Sequence, residues 1–145
     1  MPERHKSIIA VYLILREGPK TLLLQRANTG YRDGQYGLPA GHVDAGEPII
    51  DAMVREAKEE INIDIHSDHL QLVHVRDRNA DDGHRVDFFF TCSKWHGRPE
   101  NAEPHKCSDL TWHDHRDEQL DIIPYIKEVL NHTDTREIYS LEDWK

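Results

Sequence analysis

Three glutamates, Glu56, Glu59 and Glu60, lie close together in the segment REAKEEIN, residues 55–62. On a helix each residue turns by about 100°, so the three carboxylates share one wedge of the surface. Like charges at these spacings cost a helix roughly 0.2–0.5 kcal/mol per pair. Carboxylate oxygens are also the hard ligands that Mg²⁺ takes in proteins, and a bound dication would turn their repulsion into attraction. The segment therefore indicates either a solvated acidic face or a metal platform.

A glycine-rich loop comes directly before the acidic segment. Residues 28–47, NTGYRDGQYGLPAGHVDAGE, contain five glycines and one proline. Long loops of this kind are usually functional in compact domains. We therefore expect this loop to have a function of its own beside the helix that follows.

The acidic segment is expected to lie on a helix over PIIDAMVREAKEEI, with Pro48 at the first helical position. Its apolar residues recur at helical spacing and predict a stripe that faces the core: Ile50, Met53, Val54, Ala57 and Ile61. At about 100° per residue the three glutamates fall on the side away from this stripe. Asn62 stands where a helix takes a left-handed cap, for which Asn is the usual second choice after Gly.

The other segments predict strands interleaved with a second helix. SIIAVYLILRE and TLLLQRA, separated by the turn residues GPK, are expected to form a β-hairpin. Further strands are expected at LQLVHVRD, RVDFFFTCSKW and DLTWHD. A last helix is expected in EQLDIIPYIKEVL, with Pro124 as an alternative start. This order predicts an α/β fold class, a layered sandwich with a mixed β-sheet.

Composition predicts a soluble cytoplasmic protein with one domain, residues 1–145. The chain is 37% hydrophobic and 31% charged, and no apolar run approaches the roughly 20 residues of a membrane span. The net charge of −9 disfavours a nucleic acid polymer as partner, although a metal cation could mediate binding of a small phosphate ligand. Cys92 and Cys107 are expected to be free, buried thiols. His113 and His115 alone do not make a zinc site.

The spacing from Gly41 onward closely resembles the Nudix box. That motif reads Gly, five residues, Glu, seven residues, Arg-Glu, an aliphatic residue, any residue, Glu-Glu, any residue, Gly and an aliphatic residue. The chain supplies these positions in the same order: Gly41, Glu47, Arg55, Glu56, Ala57, Glu59, Glu60 and Ile63. The chain departs from the motif at Asn62, where the family has Gly, and Asn tolerates a positive φ better than other residues. The preceding LPAGH resembles the family's Leu-Pro-Gly-Gly, with Ala40 replacing one glycine.

The resemblance implies a Nudix-type α/β/α sandwich and a small MutT-like nucleotide pyrophosphohydrolase. It implies Mg²⁺ as cofactor, with Mn²⁺ as a substitute, and Glu59 and Glu60 as the principal metal ligands. Glu56 would be a further ligand or the base that takes the water proton. Arg55 would orient the carboxylates, and its spacing to Glu59 suits an ion pair. Glu47 would brace the loop, or would simply complement the helix N-terminus.

Several residues outside the acidic segment are further candidates. By resemblance, a backbone carbonyl near Ala40 would complete the metal shell. Glu103, in AEPHKC, would be an additional ligand or an ordinary loop acid. Phe89 and Asp87 could line a substrate pocket, and Tyr36 beside the loop could contact the substrate.

The expected substrate is a nucleoside or deoxynucleoside triphosphate, hydrolysed to a monophosphate and pyrophosphate. Alternatives are ADP-ribose, nucleotide sugars or dinucleoside polyphosphates, and a sensor module that binds nucleotides without turnover. The complete glutamate set favours an enzyme, because a pure binder does not need every carboxylate. We expect a small-molecule partner, no membrane, and a monomer or homodimer.

Overall fold

The computed structural model describes residues 2–144, which contain nine strands and two α-helices. The strands are β1 (Ile8–Ile14), β2 (Arg16–Glu17), β3 (Lys20–Arg26), β4 (Tyr36–Gly37), β5 (Ala40–His42), β6 (Leu70–Ala80), β7 (Gly83–Cys92), β8 (Cys107–His113) and β9 (Tyr139–Glu142). The helices are α1 (Ile49–Ile61) and α2 (Pro124–Asp134), and a short 3-10 turn spans Ser67–His69. Neither helix within residues 2–144 is long and apolar enough to cross a membrane.

The strands form two sheets. The larger sheet has the order β5-β1-β7-β6-β9, and the smaller one is built on β3, which pairs with β2, β4 and β8. Both parallel and antiparallel neighbours occur in the larger sheet, since β1 runs parallel to β7 and antiparallel to β5. The mixed sheet and the helices on its two sides confirm the predicted α/β class.

The β1 strand shows how the core is divided into two layers. Successive side chains of a strand point to opposite faces of the sheet. Tyr12 and Ile14 pack in the cluster that contains α2, whereas Val11 and Leu13 pack in the cluster that contains α1. The apolar run of β1 is therefore buried on both faces, and the sheet lies between the two helices.

The predicted hairpin between SIIAVYLILRE and TLLLQRA is wrong over most of its length. β1 pairs with β5 and β7 in the larger sheet. Only β2 pairs with the beginning of β3, in the smaller sheet. The N–H of Leu22 donates to the carbonyl of Leu15 at 3.0 Å where the chain passes from one sheet to the other. A strand buried on both faces lacks the alternating pattern that would show its partner.

Helix α1 confirms the predicted stripe in its main features. Met53, Ala57 and Ile61 are fully buried, and Ala52 joins them. The helix begins one residue after Pro48, which is its N-cap. This packing holds the acidic residues of α1 at a fixed place beside β5, with which α1 is in contact.

Candidate metal and catalytic site

Backbone from the glycine-rich loop passes directly against the carboxylates of α1. The N–H of Ala40 donates to Glu60 Oε2 at 3.1 Å. A Cβ atom at Gly41 would overlap the carboxylate of Glu56. A side chain at position 41 would therefore displace the carboxylate of Glu56, and the predicted loop and helix form one site.

Arg55 organises the outer part of this site. Its Nε donates to Glu47 Oε2 at 2.8 Å and its Nη2 to Glu47 Oε1 at 3.1 Å. Its Nη1 donates to Glu56 at 2.9 Å and to Glu59 at 3.2 Å, and Nη2 also donates to the carbonyl of His42 at 3.0 Å. The hydrogen bonds from Arg55 hold the pKa of Glu47 below its usual value. The planar guanidinium group of Arg55 thus links the loop to α1 through hydrogen bonds from several N–H groups.

Glu60 and Glu56 are carboxylates whose surroundings disfavour their charge. The pKa of Glu60 is raised to about 8, mainly by burial and further by the charges of Glu56 and Glu103. The hydrogen bond from the N–H of Ala40 partly opposes this increase. Burial also raises the pKa of Glu56, whose side chain is 15% exposed. Desolvated carboxylates that repel one another are stabilised by a bound cation. The donor set therefore fits a hard divalent cation.

Glu56 and Glu59 are paired with Arg55 in this arrangement of side chains. Among residues 2–144 no three His, Cys, Asp or Glu side chains stand together in metal-binding geometry. One carboxylate oxygen of Glu56 and one of Glu59 accept hydrogen bonds from Arg55. The side chain of Glu59 is 53% exposed, so it has room to change rotamer toward a cation.

Glu103 lies in the same electrostatic cluster although it is distant from α1 in sequence. Its charge raises the pKa of both Glu56 and Glu60. The neighbouring Ala102 donates its N–H to the carbonyl of Glu60 at 3.2 Å. The structure thus brings Glu103 to the acidic face of α1, where ligation by Glu103 and by the carbonyl of Ala40 stays a prediction.

The expectation that Asp87 and Phe89 line a substrate pocket is wrong, because both side chains lie in the protein interior. Phe89 is fully buried and stacks on Tyr12 with ring centroids 4.5 Å apart, in the core layer that contains α2. Asp87 is also fully buried, with its Oδ2 2.7 Å from Nε of Arg78. The strand pattern could not show this, because β7 is covered on both faces.

Tyr36 and Arg26 lie near the same loop. The hydroxyl of Tyr36 donates to Asp109 at 2.6 Å, and this hydrogen bond raises the pKa of Tyr36 to about 12. Its contact with substrate stays a prediction. Arg26 had no assigned role from the sequence, yet its positive charge lowers the pKa of Glu60. Only its position at the end of β3, beside the loop, could have indicated this.

A cavity of about 350 Å³ opens on the outer side of α1. Val54, Ile63 and Ile65 give it an apolar lining, and Arg55 and Glu59 border it. The exposed edge of the carboxylate cluster therefore adjoins space for a small ligand.

Several known proteins resemble this chain in sequence or in fold. The family model of the NUDIX domain matches residues 4–132. The 8-oxo-dGTP diphosphatase of Escherichia coli is 28% identical over 95 residues, which are 66% of this chain and 72% of that protein. The ADP-ribose pyrophosphatase of Methanocaldococcus jannaschii is 40% identical over 55 residues, which are 38% of this chain and 32% of that protein. The crystal structure of a MutT NUDIX hydrolase from Burkholderia pseudomallei has a TM-score of 0.77 at 25% identity and covers 88% of this chain and 98% of its own.

Proposed function

We propose that this chain, which belongs to the NUDIX domain family of pyrophosphohydrolases, hydrolyses nucleoside or deoxynucleoside triphosphates in the presence of Mg²⁺. The products are a nucleoside monophosphate and pyrophosphate. The observation that carries this proposal is the half-buried Glu60, which accepts a hydrogen bond from the N–H of Ala40 and lies beside the charges of Glu56 and Glu103. A carboxylate in these surroundings is suited to bind a divalent cation that also coordinates a polyphosphate.

The residues of the site divide the chemistry between them. Glu59 and Glu60 would hold Mg²⁺, with Glu56 and Glu103 adjoining, and the bound ion would neutralise phosphate charge and lower the pKa of water. Glu56 accepts the proton of the attacking water at a carboxylate oxygen, because its carboxylate lies against Gly41 of the loop and beside the charge of Glu60. Arg55 holds the carboxylates of Glu56 and Glu59 at the loop.

Two substrate classes are favoured by particular relatives. The triphosphate class comes first because the relative named as an 8-oxo-dGTP diphosphatase matches 66% of this chain. ADP-ribose is the second candidate, because the more identical but shorter match is to an ADP-ribose pyrophosphatase. Both substrates contain a phosphoric anhydride, which the same carboxylate cluster would cleave.

A substrate panel with purified variants tests the proposal. Canonical and oxidised nucleoside triphosphates, ADP-ribose, nucleotide sugars and dinucleoside polyphosphates are incubated with Mg²⁺, and the products are separated by ion-exchange chromatography. We expect turnover of at least one triphosphate by the wild-type protein and a loss of about 100-fold or more in Glu59→Gln. Glu17→Gln is the matched control, since Glu17 is exposed on β2. Turnover of no compound in the panel by the folded protein would refute the proposal.

A further inference from the structure

We propose that Asn62 is a positioning residue. Its side chain binds the segment of residues 100–103 at the end of α1, and this contact holds Glu103 beside the carboxylates of Glu56 and Glu60. This inference rests on the proposed function, because it gives Glu103 its role there. The Nudix box has Gly at this position, so the family motif supplies no side chain for such a contact.

The backbone at position 62 does not by itself require asparagine. Asn62 has φ 55° and ψ 41°, and its N–H donates to the carbonyl of Lys58 at 3.1 Å, closing the last turn of α1. Glycine adopts this left-handed conformation without strain. The side chain adds one contact that glycine cannot make, since its Nδ2 donates to Oε1 of Glu100. The acceptor is charged, which strengthens the hydrogen bond, but both side chains are exposed, so solvent reduces its contribution.

Two backbone hydrogen bonds continue this contact along the chain. The N–H of Glu100 donates to the carbonyl of Ile61 at 3.0 Å, and the N–H of Ala102 donates to the carbonyl of Glu60 at 3.2 Å. These carbonyls belong to the last turn of α1, where intrahelical partners run out. Three adjacent links therefore join the helix end to the segment that leads into Glu103.

The segment is also fixed on both sides of these links. On one side, His96 and Asp64 exchange two backbone hydrogen bonds of 2.9 Å. On the other side, the side chain of Asn101 accepts from the N–H of Glu103 at 3.2 Å and donates to the carbonyl of Cys107 at 2.7 Å. The contact between Asn62 and Glu100 therefore lies between two fixed points of the segment. Its loss would leave the two backbone hydrogen bonds to α1 in place and would weaken the attachment of the residues that lead to Glu103.

The test uses variants that remove or keep the side-chain contact. Asn62→Gly removes the donor and keeps the backbone conformation, Glu100→Ala removes the acceptor, and Glu100→Gln keeps an acceptor oxygen. The readouts are the hydrogen-exchange rate of the Ala102 amide and the Kd of Mn²⁺ from titration calorimetry. We expect Asn62→Gly and Glu100→Ala to accelerate the exchange about fivefold and to weaken Mn²⁺ binding about fivefold, with wild-type values in Glu100→Gln. In a Glu103→Gln background, Asn62→Gly should weaken Mn²⁺ binding no further.

An unchanged exchange rate at Ala102 in Asn62→Gly would overturn the proposal. Faster exchange with unchanged Mn²⁺ affinity would also overturn it, because the link would then stabilise the segment without positioning Glu103. Neither readout requires turnover. If the protein hydrolyses no nucleotide, the proposed function is refuted. The effect of Asn62 on amide exchange and on Mn²⁺ affinity can still be measured, so failure of the proposed function is distinguishable from failure of this inference.

Discussion

Replacing Glu60 by Gln is expected to stabilise the metal-free protein at alkaline pH while it removes activity. The pKa of Glu60 is raised from 4.5 to about 8, first by burial and then by the charges of Glu56 and Glu103. An unfolded chain loses this proton near pH 4.5, whereas the folded protein keeps it until about pH 8. The folded state thus binds more protons in this window, so its free energy of unfolding falls as the pH rises.

The size of the effect follows from the pKa difference. A shift of about 3.5 units corresponds to about 5 kcal/mol as an upper limit. An ionised carboxylate at the edge of the site draws in water, so we expect roughly 2 kcal/mol of this to be realised. Gln carries no charge and keeps an acceptor for the N–H of Ala40. Glu60→Gln should therefore exceed the wild-type free energy of unfolding by roughly 2 kcal/mol at pH 8.5 and by little at pH 5.

Urea unfolding with EDTA at several values from pH 5 to pH 8.5 measures this difference. Burial lowers the pKa of His74 from 6.5, so the free energy of unfolding rises with pH below pH 6.5 through this residue. The wild-type protein and Glu60→Gln share this contribution, which cancels in the difference between them. Glu59→Gln is the matched control, since its side chain is 53% exposed. When Mg²⁺ replaces EDTA, the free energy of unfolding at pH 8.5 should rise for the wild-type protein and stay unchanged for Glu60→Gln. Equal pH slopes for wild type and Glu60→Gln would refute the reasoning.

Three further substitutions test separate parts of the structure. Gly41→Ala should reduce turnover by about tenfold or more, because the added Cβ displaces the carboxylate of Glu56. The free energy of unfolding should change by less than about 1 kcal/mol, because only the flexible end of that side chain moves. Wild-type activity in this variant would contradict the prediction. Arg55→Lys should lower the free energy of unfolding by about 2 kcal/mol in denaturant titration, since Lys cannot make both hydrogen bonds to Glu47; a change below about 0.5 kcal/mol would count against it. Phe89→Ala should destabilise the fold by about 3–5 kcal/mol because the ring is fully buried; a normal melting temperature would restore the pocket interpretation.

The parts of the fold that the sequence predicts well are those with a local signal. Helix α1 has a clear helical period, and the Gly41 to Glu60 spacing identifies the loop and the carboxylates as one motif. Asn62 adopts the left-handed cap that its position indicated, and Cys92 and Cys107 are free and buried as expected. The period of α1 and the cap at Asn62 depend on interactions within a few residues along the chain, and the spacing of the motif is itself legible in the sequence.

The predictions that failed depended on contacts distant in sequence. The partner of β1 and the burial of Phe89 are set by strands and a helix elsewhere, and no periodicity within either segment reveals them. Strand β9 was not predicted, since its residues Tyr139–Glu142 pair with β6 far upstream. The expectation that all three glutamates lie away from the apolar stripe does not hold for Glu60, because Glu60 follows Met53 by seven residues and lies within about 20° of it on the helix. The contact between Asn62 and Glu100 is equally non-local.

The most direct test of the account is the rate of nucleotide hydrolysis as a function of Mg²⁺ concentration in the wild-type protein and in Glu60→Gln. The wild-type rate should rise with Mg²⁺ and saturate, with a monophosphate and pyrophosphate as products. The rate of folded Glu60→Gln should stay about 100-fold or more below it at every Mg²⁺ concentration. A folded Glu60→Gln protein with a rate within a few-fold of the wild type would contradict the central claim that the carboxylates of α1 form the metal site.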